Sequence, residues 1–341
     1  MENKKNYTIN DVAKMIGYSK ATVSRAMNNS KEINSKTKNK ILKLIKEINY
    51  EPNNIARSLS KKRTKTIGVI LEDILNPFYS EVAKEIEITL RKHGLLMYLV
   101  SSDWIYEEEI RITKALIGNK VDGILITPIK EDSEALKLLK QREVPFIVMN
   151  YKPKDKNISW ITSDNIQGGY MATKHLIDLG HRNIMHLKGH DHQTTKDRLV
   201  GFKKAIKEKK SLGIKSSVVG SAKSFEDGYK LIKKILPSIE KDNIPTGIFA
   251  VNDFVAIGAM QALLEIKLDI PDDISIIGYD DINIAGKVRV PLTTIHQSKR
   301  RMGNIATVQL LDKISKADLD VARQFLMKPY LVKRDSTKKR D

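Results

Sequence analysis

Cysteine is absent from all 341 residues, which removes disulfides, thiolate nucleophiles and Cys-ligated metals and suits a reducing compartment. No apolar run approaches the roughly 18 to 20 residues a membrane-spanning helix needs. The first seven residues lack the apolar centre of a secretory signal, so a cytoplasmic location without a membrane partner is expected. Catalytic signatures are missing too. Gly168-Gly169 opens a helix without a dinucleotide fingerprint, and Gly189-His-Asp-His is not a phosphate loop. There is no nucleophile elbow or Walker motif, so neither catalysis nor a cofactor is expected.

What is abundant is positive charge: 60 Lys and Arg against 41 Asp and Glu, a net +19. The excess is concentrated. Residues 1–66 carry 16 basic and 5 acidic side chains, a net +11, which leaves +8 for the rest. A polyanion is therefore the expected partner of the N-terminal segment. At this length, with 41% hydrophobic residues, two or three domains with substantial cores are expected.

Thr8 followed by Asp11 is a capping signature, and Val12, Ala13 and Ile16 share one helical face. Gly17 ends that helix, and Ser19 caps a second running to about Met27. A three-residue turn between two short helices is helix-turn-helix spacing. On the second helix Lys20, Ala21, Ser24 and Arg25 share one face, opposite Val23, Ala26 and Met27. A third helix, Ser35 to about Ile48, supplies Ile41, Leu42, Ile45 and Ile48 as the closing apolar stripe. Arg25 suits guanine O6 and N7, although phosphate contact is a simpler role; Lys20 suits base or phosphate, and Ala21 a thymine methyl. Ser19, Thr22, Ser24 and Asn28 suit phosphates. The segment from Asn53 through Ala56 to Leu59 is only about two turns long. It is expected to become helical only when paired on DNA, with Leu59 as a minor-groove wedge; a plain linker is the other reading.

From Thr66 short apolar strands alternate with helices: 67–71, 96–100, 123–127 and 146–149, then 184–187, 217–219, 247–251 and 274–278. The expected fold is an N-terminal all-α helix-turn-helix domain (1–52), a hinge helix and linker (53–65), and an α/β core of two doubly wound parallel-sheet lobes (66–335) with a small-molecule cleft between them. Asn76, Asp103, Asp164, Asn252 and Asp280 directly follow apolar runs and suit polyol hydroxyls. Phe78, Tyr79 and Trp104 offer ring faces. Five of the seven His lie between 175 and 192. They lack metal-ligand spacing, so no metal is expected; His190 and His192, in a loop after a strand, are candidate ligand contacts.

These residues carry a family resemblance over nearly the whole chain. The ordered motifs are Thr8-Ile-Asn-Asp-Val-Ala-Lys, Ser19-Lys-Ala-Thr-Val-Ser-Arg-Ala-Met-Asn, Tyr50-Glu-Pro-Asn-Asn-Ile-Ala-Arg-Ser-Leu, Thr66-Ile-Gly-Val-Ile, Asn76-Pro-Phe-Tyr, Asp164-Asn, Leu179-Gly-His-Arg, Arg198-Leu-Val-Gly-Phe, Asn252-Asp, Gly278-Tyr-Asp-Asp and Pro291-Leu-Thr-Thr-Ile. The chain resembles the lactose/galactose repressor family of bacterial transcription factors. The resemblance implies a periplasmic-binding-protein-like core, a homodimer on a pseudo-palindromic double-stranded DNA operator, and Leu59 as an intercalating hinge residue. It also implies Arg198, Asn252 and Asp280 as effector contacts, with Asp164, Tyr79, His192 and Thr194 beside them. The family's leucine-repeat tail is missing from Arg334-Asp-Ser-Thr-Lys-Lys-Arg-Asp, so a dimer is expected. A sugar or sugar derivative is the leading effector, with a purine or nucleoside as the alternative, and a protein coregulator stays open. Val288-Arg-Val and the two loop histidines depart from the family pattern and bear on which ligand fits. Readings from other classes are a constitutive architectural DNA-binding protein and a sugar-processing protein with a basic appendage.

Overall fold

A computed structural model describes residues 7–30, 32–50, 63–315 and 321–340. The chain forms two compact units that divide between Thr64 and Lys65. The expected hinge contacts Asn53, Ala56 and Leu59 lie outside the described residues.

In the first unit, α1 (Ile9–Ile16) begins with a capping box: Thr8 N donates to Asp11 Oδ2 at 2.8 Å, and Asp11 N donates back to Thr8 Oγ1 at 3.3 Å. Gly17, at φ +74, closes it, a left-handed conformation that favours glycine. Ser19 then caps α2 (Lys20–Met27) by accepting from Thr22 N, and Asn34 caps α3 (Ser35–Glu47). Val12, Val23, Ala26, Ile41 and Tyr50 form the buried centre. The expected stripe on α3 is corrected at one position. Leu42 is exposed, and Leu44 packs beside Ile45 and Ile48 in its place, because the wall that α3 presents to α1 and α2 is centred on Ile41 and passes through 44, 45 and 48.

Among the described residues the second unit contains two parallel sheets and a two-stranded antiparallel one. In the first lobe β1 (Thr66–Leu71), β2 (Leu96–Ser101), β3 (Gly123–Ile126), β4 (Phe146–Met149), β5 (Trp160–Ser163) and a late strand, β11 (Gln324–Met327), run parallel in the order 2-1-3-4-5-11. In the second lobe β6 (Asn183–Gly189), β7 (Lys215–Ala222), β8 (Gly247–Ala250) and β9 (Ser275–Ile277) run parallel in the order 7-6-8-9. Each order reverses beside its first strand, which is where doubly wound sheets open a crevice at the carboxyl ends of their strands. The helices are α4 (Pro77–Lys92), α5 (Tyr106–Gly118), α6 (Glu134–Gln141), α7 (Asn165–Asp178), α8 (Gln193–Glu208), α9 (Phe225–Ile235), α10 (Asp253–Glu265) and α11 (Lys299–Ser315).

The chain passes between the lobes three times. It leaves β5 for α7 of the second lobe, returns from β10 (Thr294–His296) into α11 against α4 of the first, and leaves β11 for β12 (Tyr330–Val332), which pairs antiparallel with β10. The second unit also continues beyond the expected limit at 335. Ser336 is fully buried and its hydroxyl donates to Ile276 O at 2.6 Å, while Arg340 N donates to Leu179 O at 2.7 Å. The polar look of this tail is misleading because its backbone and hydroxyls complete hydrogen bonds at the edge of the second sheet.

Candidate effector cleft and DNA-reading helix

Close helix packing sets the position of the central cation in the cleft. A Cβ on Gly169 of α7 would stand 2.2 Å from Arg198 O, and one on Gly201 of α8 would stand 2.1 Å from Ile166 O. Only glycine permits the two backbones to approach so nearly, and that approach holds Arg198 beneath the carboxyl ends of β6 and β8. The buried guanidinium donates from Nε to Asn165 Oδ1 at 2.9 Å and from Nη1 to Val251 O at 2.7 Å. It also lies 3.7 Å over the ring of Tyr279, and its Nη2 is 3.5 Å from Asp280 Oδ1.

Asp280 is fixed from several sides. Its Oδ1 accepts from Gln297 Nε2 at 2.6 Å, and its carbonyl accepts from buried Lys299 Nζ, also at 2.6 Å. Burial raises its pKa, opposed by Arg198, Gln297 and Lys299. Its backbone sits at φ +114, a conformation costly for a non-glycine residue; bonds from Asp280 N to Ile295 O and from Ile282 N to the buried carboxylate of Asp253 hold the turn.

The cleft between the lobes spans about 400 Å³, part of it open to solvent. The first lobe contributes Asn76, Phe78, Tyr79, Trp104 and Asn150; the second contributes His190, Thr194, Thr195, Arg198, Ala222, Lys223, Val251, Asn252 and Asp280. Asn76 caps α4 by accepting from Phe78 N, and Asn252 caps α10 by accepting from Val255 N at 2.7 Å. Phe78 and Tyr79 meet edge to face at 5.1 Å, and the Trp104 and His190 rings lie 3.8 Å apart. Seven of the nine expected effector contacts thus line one cavity: Phe78, Tyr79, Trp104, Thr194, Arg198, Asn252 and Asp280.

The structure places Asp164 and His192 elsewhere. Asp164 caps α7 by accepting from Gln167 N at 2.9 Å. His192 is buried behind the cavity wall, with Nε2 2.9 Å from Glu72 Oε1 and Nδ1 2.9 Å from Thr194 Oγ1. Glu72 belongs to the first lobe and His192 to the second, so the pair bridges them. Burial works against the charged imidazole, but Glu72 overrides it and raises the His192 pKa; burial likewise raises that of Glu72. The other clustered histidines are neutral. His175, His181, His186 and His190 are each lowered by burial to about 4, and the described residues contain no group of side chains able to hold a metal.

Sequence reasoning missed Asn150, Thr195 and Lys223, and weighed His190 together with His192. Asn150 directly follows β4, so the strand-end rule that picked out Asn76 would have found it. Lys223 directly follows β7, whose sequence assignment stopped short at Val219.

In the first unit, Ser19, Lys20, Ala21, Arg25 and Asn28 are exposed and Thr22 and Ser24 half-buried, while Val23 and Ala26 face inward. The exposed side of α2 is thus a row of basic and hydroxyl groups. Among the described residues Arg25 pairs with Glu32, at 3.3 Å with both side chains solvated, and such a pair binds weakly.

A helix-turn-helix unit followed by a two-lobed α/β core with a polar cleft defines a DNA-binding regulator that senses a small molecule. The comparisons agree. Residues 8–53 match the model of the bacterial regulatory proteins of the lacI family, and residues 173–337 match a periplasmic binding protein-like domain. The chain is 38% identical to the HTH-type transcriptional repressor PurR of Pasteurella multocida (strain Pm70), over 98% of this chain and 99% of that one. Among solved structures, the lac repressor dimer bound to operator and the anti-inducer ONPF aligns with a TM-score of 0.86 at 27% identity, over 98% of this chain and all of that one. A LacI family regulator from Enterococcus faecalis V583 with bound ribose aligns with a TM-score of 0.72 at 32% identity, over 81% of this chain and all of that one. The chain belongs to the LacI family of transcriptional regulators.

Proposed function

We propose that the chain is an operator-binding repressor whose DNA affinity is set by a purine-type effector in the cleft between the lobes, with no catalytic step. The observation that carries this reading is the buried Arg198–Asp280 centre inside an aromatic-walled cavity, in a chain whose other unit presents a basic helix face. The PurR relative, alike over nearly its full length, favours a purine. A sugar is the second reading, favoured by the ribose-bound neighbour and by the match of a carboxylate and guanidinium to vicinal hydroxyls.

In this account Lys20, Ala21 and Arg25 read bases, while Ser19, Thr22, Ser24 and Asn28 hold phosphates. The working form is a cytoplasmic homodimer. The edge strand β2 exposes Leu96, Tyr98 and Leu99, and the loops leaving β1 and β2 expose Ile74, Leu75 and Ile105, with Leu75 at 79%. An open strand edge with apolar side chains is an association surface; a second copy would also supply the second reader that a pseudo-palindromic site requires. Effector binding changes the relation of the lobes, and the segment at 53–62 passes that change to the reader.

The test is to capture genomic fragments with the purified chain, derive the shared site, and measure affinity for it with and without guanine, hypoxanthine and ribose. A purine should move operator affinity by about 5- to 150-fold, the usual span of allosteric coupling. Indifference to purines alongside a response to ribose would select the sugar reading; diffuse capture under every condition would sink specific operator binding. Arg25→Ala should cost about 1 to 3 kcal/mol of discrimination between operator and random DNA, read from competition titrations.

A further inference from the structure

We propose that the chain carries a second input besides its effector: a latch at the start of α8, built from His192, Gln193 and Glu72, that joins the lobes and releases them when Glu72 and His192 lose the proton they share. The latch is independent of which effector the cleft takes.

His192 and Gln193, the cap and first residue of α8, belong to the second lobe, yet they spend their side chains on the first. His192 Nε2 lies 2.9 Å from Oε1 of Glu72, which directly follows β1, and 3.3 Å from Pro128 O, after β3. Gln193 clamps the backbone after β4: its Oε1 accepts from Lys152 N at 2.6 Å, and its Nε2 donates to Lys152 O at 3.0 Å. Two neighbouring residues of one lobe thus grip three strand ends of the other.

Of these contacts only the Glu72–His192 pair can exchange protons. Both side chains are shut off from solvent, at 0% and 1% exposure, and the Tyr151 and Trp104 rings lie 5.4 and 5.6 Å from the imidazole. Both oxygens near Nε2 are acceptors, so Nε2 carries a hydrogen. Nδ1 faces the Thr194 hydroxyl at 2.9 Å, which can donate to it or accept from it, so the imidazole is accommodated charged or neutral. Glu72 is less well provided for. Its Oε2 is buried without a hydrogen bond, and among the described residues its one ion pair is with His192. A buried carboxylate whose partner has been discharged is strongly unfavourable.

The surrounding charges act on the same proton. Burial disfavours the imidazolium, but Glu72 outweighs it, and burial also holds a proton on Glu72. Asp73 and the buried Glu109 of α5 add negative potential beside Glu72, Asp197 of α8 favours the imidazolium, and Arg198 opposes protonation of both groups. Burial keeps the Tyr151 hydroxyl protonated and His190 neutral. When the lobes part, water reaches Glu72 and His192 and restores their ordinary proton affinities. The joined arrangement therefore binds the proton more tightly than the parted one, and raising the pH above about 6.5 favours parting.

The lack of cysteine allows labels at introduced thiols. The experiment measures pulsed electron–electron distances in the unliganded full chain, spin-labelled at Lys156→Cys in the first lobe and Lys188→Cys in the second, both exposed positions, at pH 6 and pH 9. The ratio of joined to parted molecules should fall about tenfold or more at the higher pH, the change that tenfold tighter proton binding in the joined arrangement produces. Glu72→Gln keeps an acceptor for Nε2 without the carboxylate and should abolish the response, as should His192→Gln. Gln193→Ala should lengthen the distance at both pH values and keep the response. A distance distribution that is the same at pH 6 and pH 9 overturns the proposal. So does a response that survives in Glu72→Gln or His192→Gln, each checked for folding by circular dichroism; the two are independent, so either one decides if the other does not fold.

Discussion

Arg198 shows how much one side chain does in this cleft. Its planar fork holds Asn165 and Val251 O in fixed directions while the same plane stacks on Tyr279. A lysine there keeps the charge and loses both the fork and the stacking. Arg198→Lys should therefore lower effector affinity at least tenfold in calorimetric titration while the chain stays folded by circular dichroism; unchanged affinity would remove the guanidinium from the site. At this scale the sequence was legible wherever a motif or a strand end marked a residue, as with Asn76, Asn252 and Asp280. His190 and His192 were not separable, because what divides them is Glu72, a residue far away in the chain that captures one imidazole and leaves the other in the cavity wall. Pairing across a fold has no local signature.

Among the elements, the long apolar runs β1, β3, β4, β6 and β8 were readable because strands buried on both faces are continuously hydrophobic. The short strands β5, β10, β11 and β12 were missed. Gln324-Phe-Leu-Met is a strand only because β5 lies beside it, Gln324 opposite Trp160 and Met327 opposite Ser163, a pairing made by two distant segments. The Gly168-Gly169 pair in α7, which carries no nucleotide fingerprint, is explained by contact: at Gly169 α7 and α8 touch backbone to backbone, and Gly168 makes room for the Tyr279 ring. Gly169→Ala drives a methyl against Arg198 O, a neighbour that cannot rotate away. The expected outcome is destabilisation of about 1 to 3 kcal/mol in urea unfolding, together with weaker effector binding because Arg198 shifts with its helix. An unchanged midpoint would mean that α8 slides freely along α7.

Across the whole molecule, buried histidines tie stability to pH in two opposite directions. His186 is stacked between Phe202 and Phe249 and hydrogen-bonded to Phe249 O, with its pKa lowered to about 4. Between pH 6.5 and about 4 the unfolded chain takes up a proton there that the folded chain refuses, so stability falls as pH falls. His186→Gln should gain on the unaltered chain across that window, by up to on the order of 3 kcal/mol, in melting curves recorded at successive pH values; a constant difference would mean that His186 does not titrate as placed. The Glu72–His192 pair acts the other way. Both pKa values are raised in the folded chain, so the Glu72 share is fully present only below about pH 4.5 and the His192 share below about pH 6.5, each being lost as pH rises through that group's raised value. The penalty of Glu72→Gln should accordingly be larger at pH 6 than at pH 9, and a penalty that grew with pH would contradict the assignment. The three passages of the chain between the lobes have a further consequence, for synthesis. The first lobe lacks its edge strand β11 until the second lobe has left the ribosome, and the second stays open until β12 and Ser336 arrive. Neither lobe is a contiguous stretch that can finish alone, so a nascent chain holds two incomplete sheets at once, and a truncation just before Gln324 would deprive both lobes together.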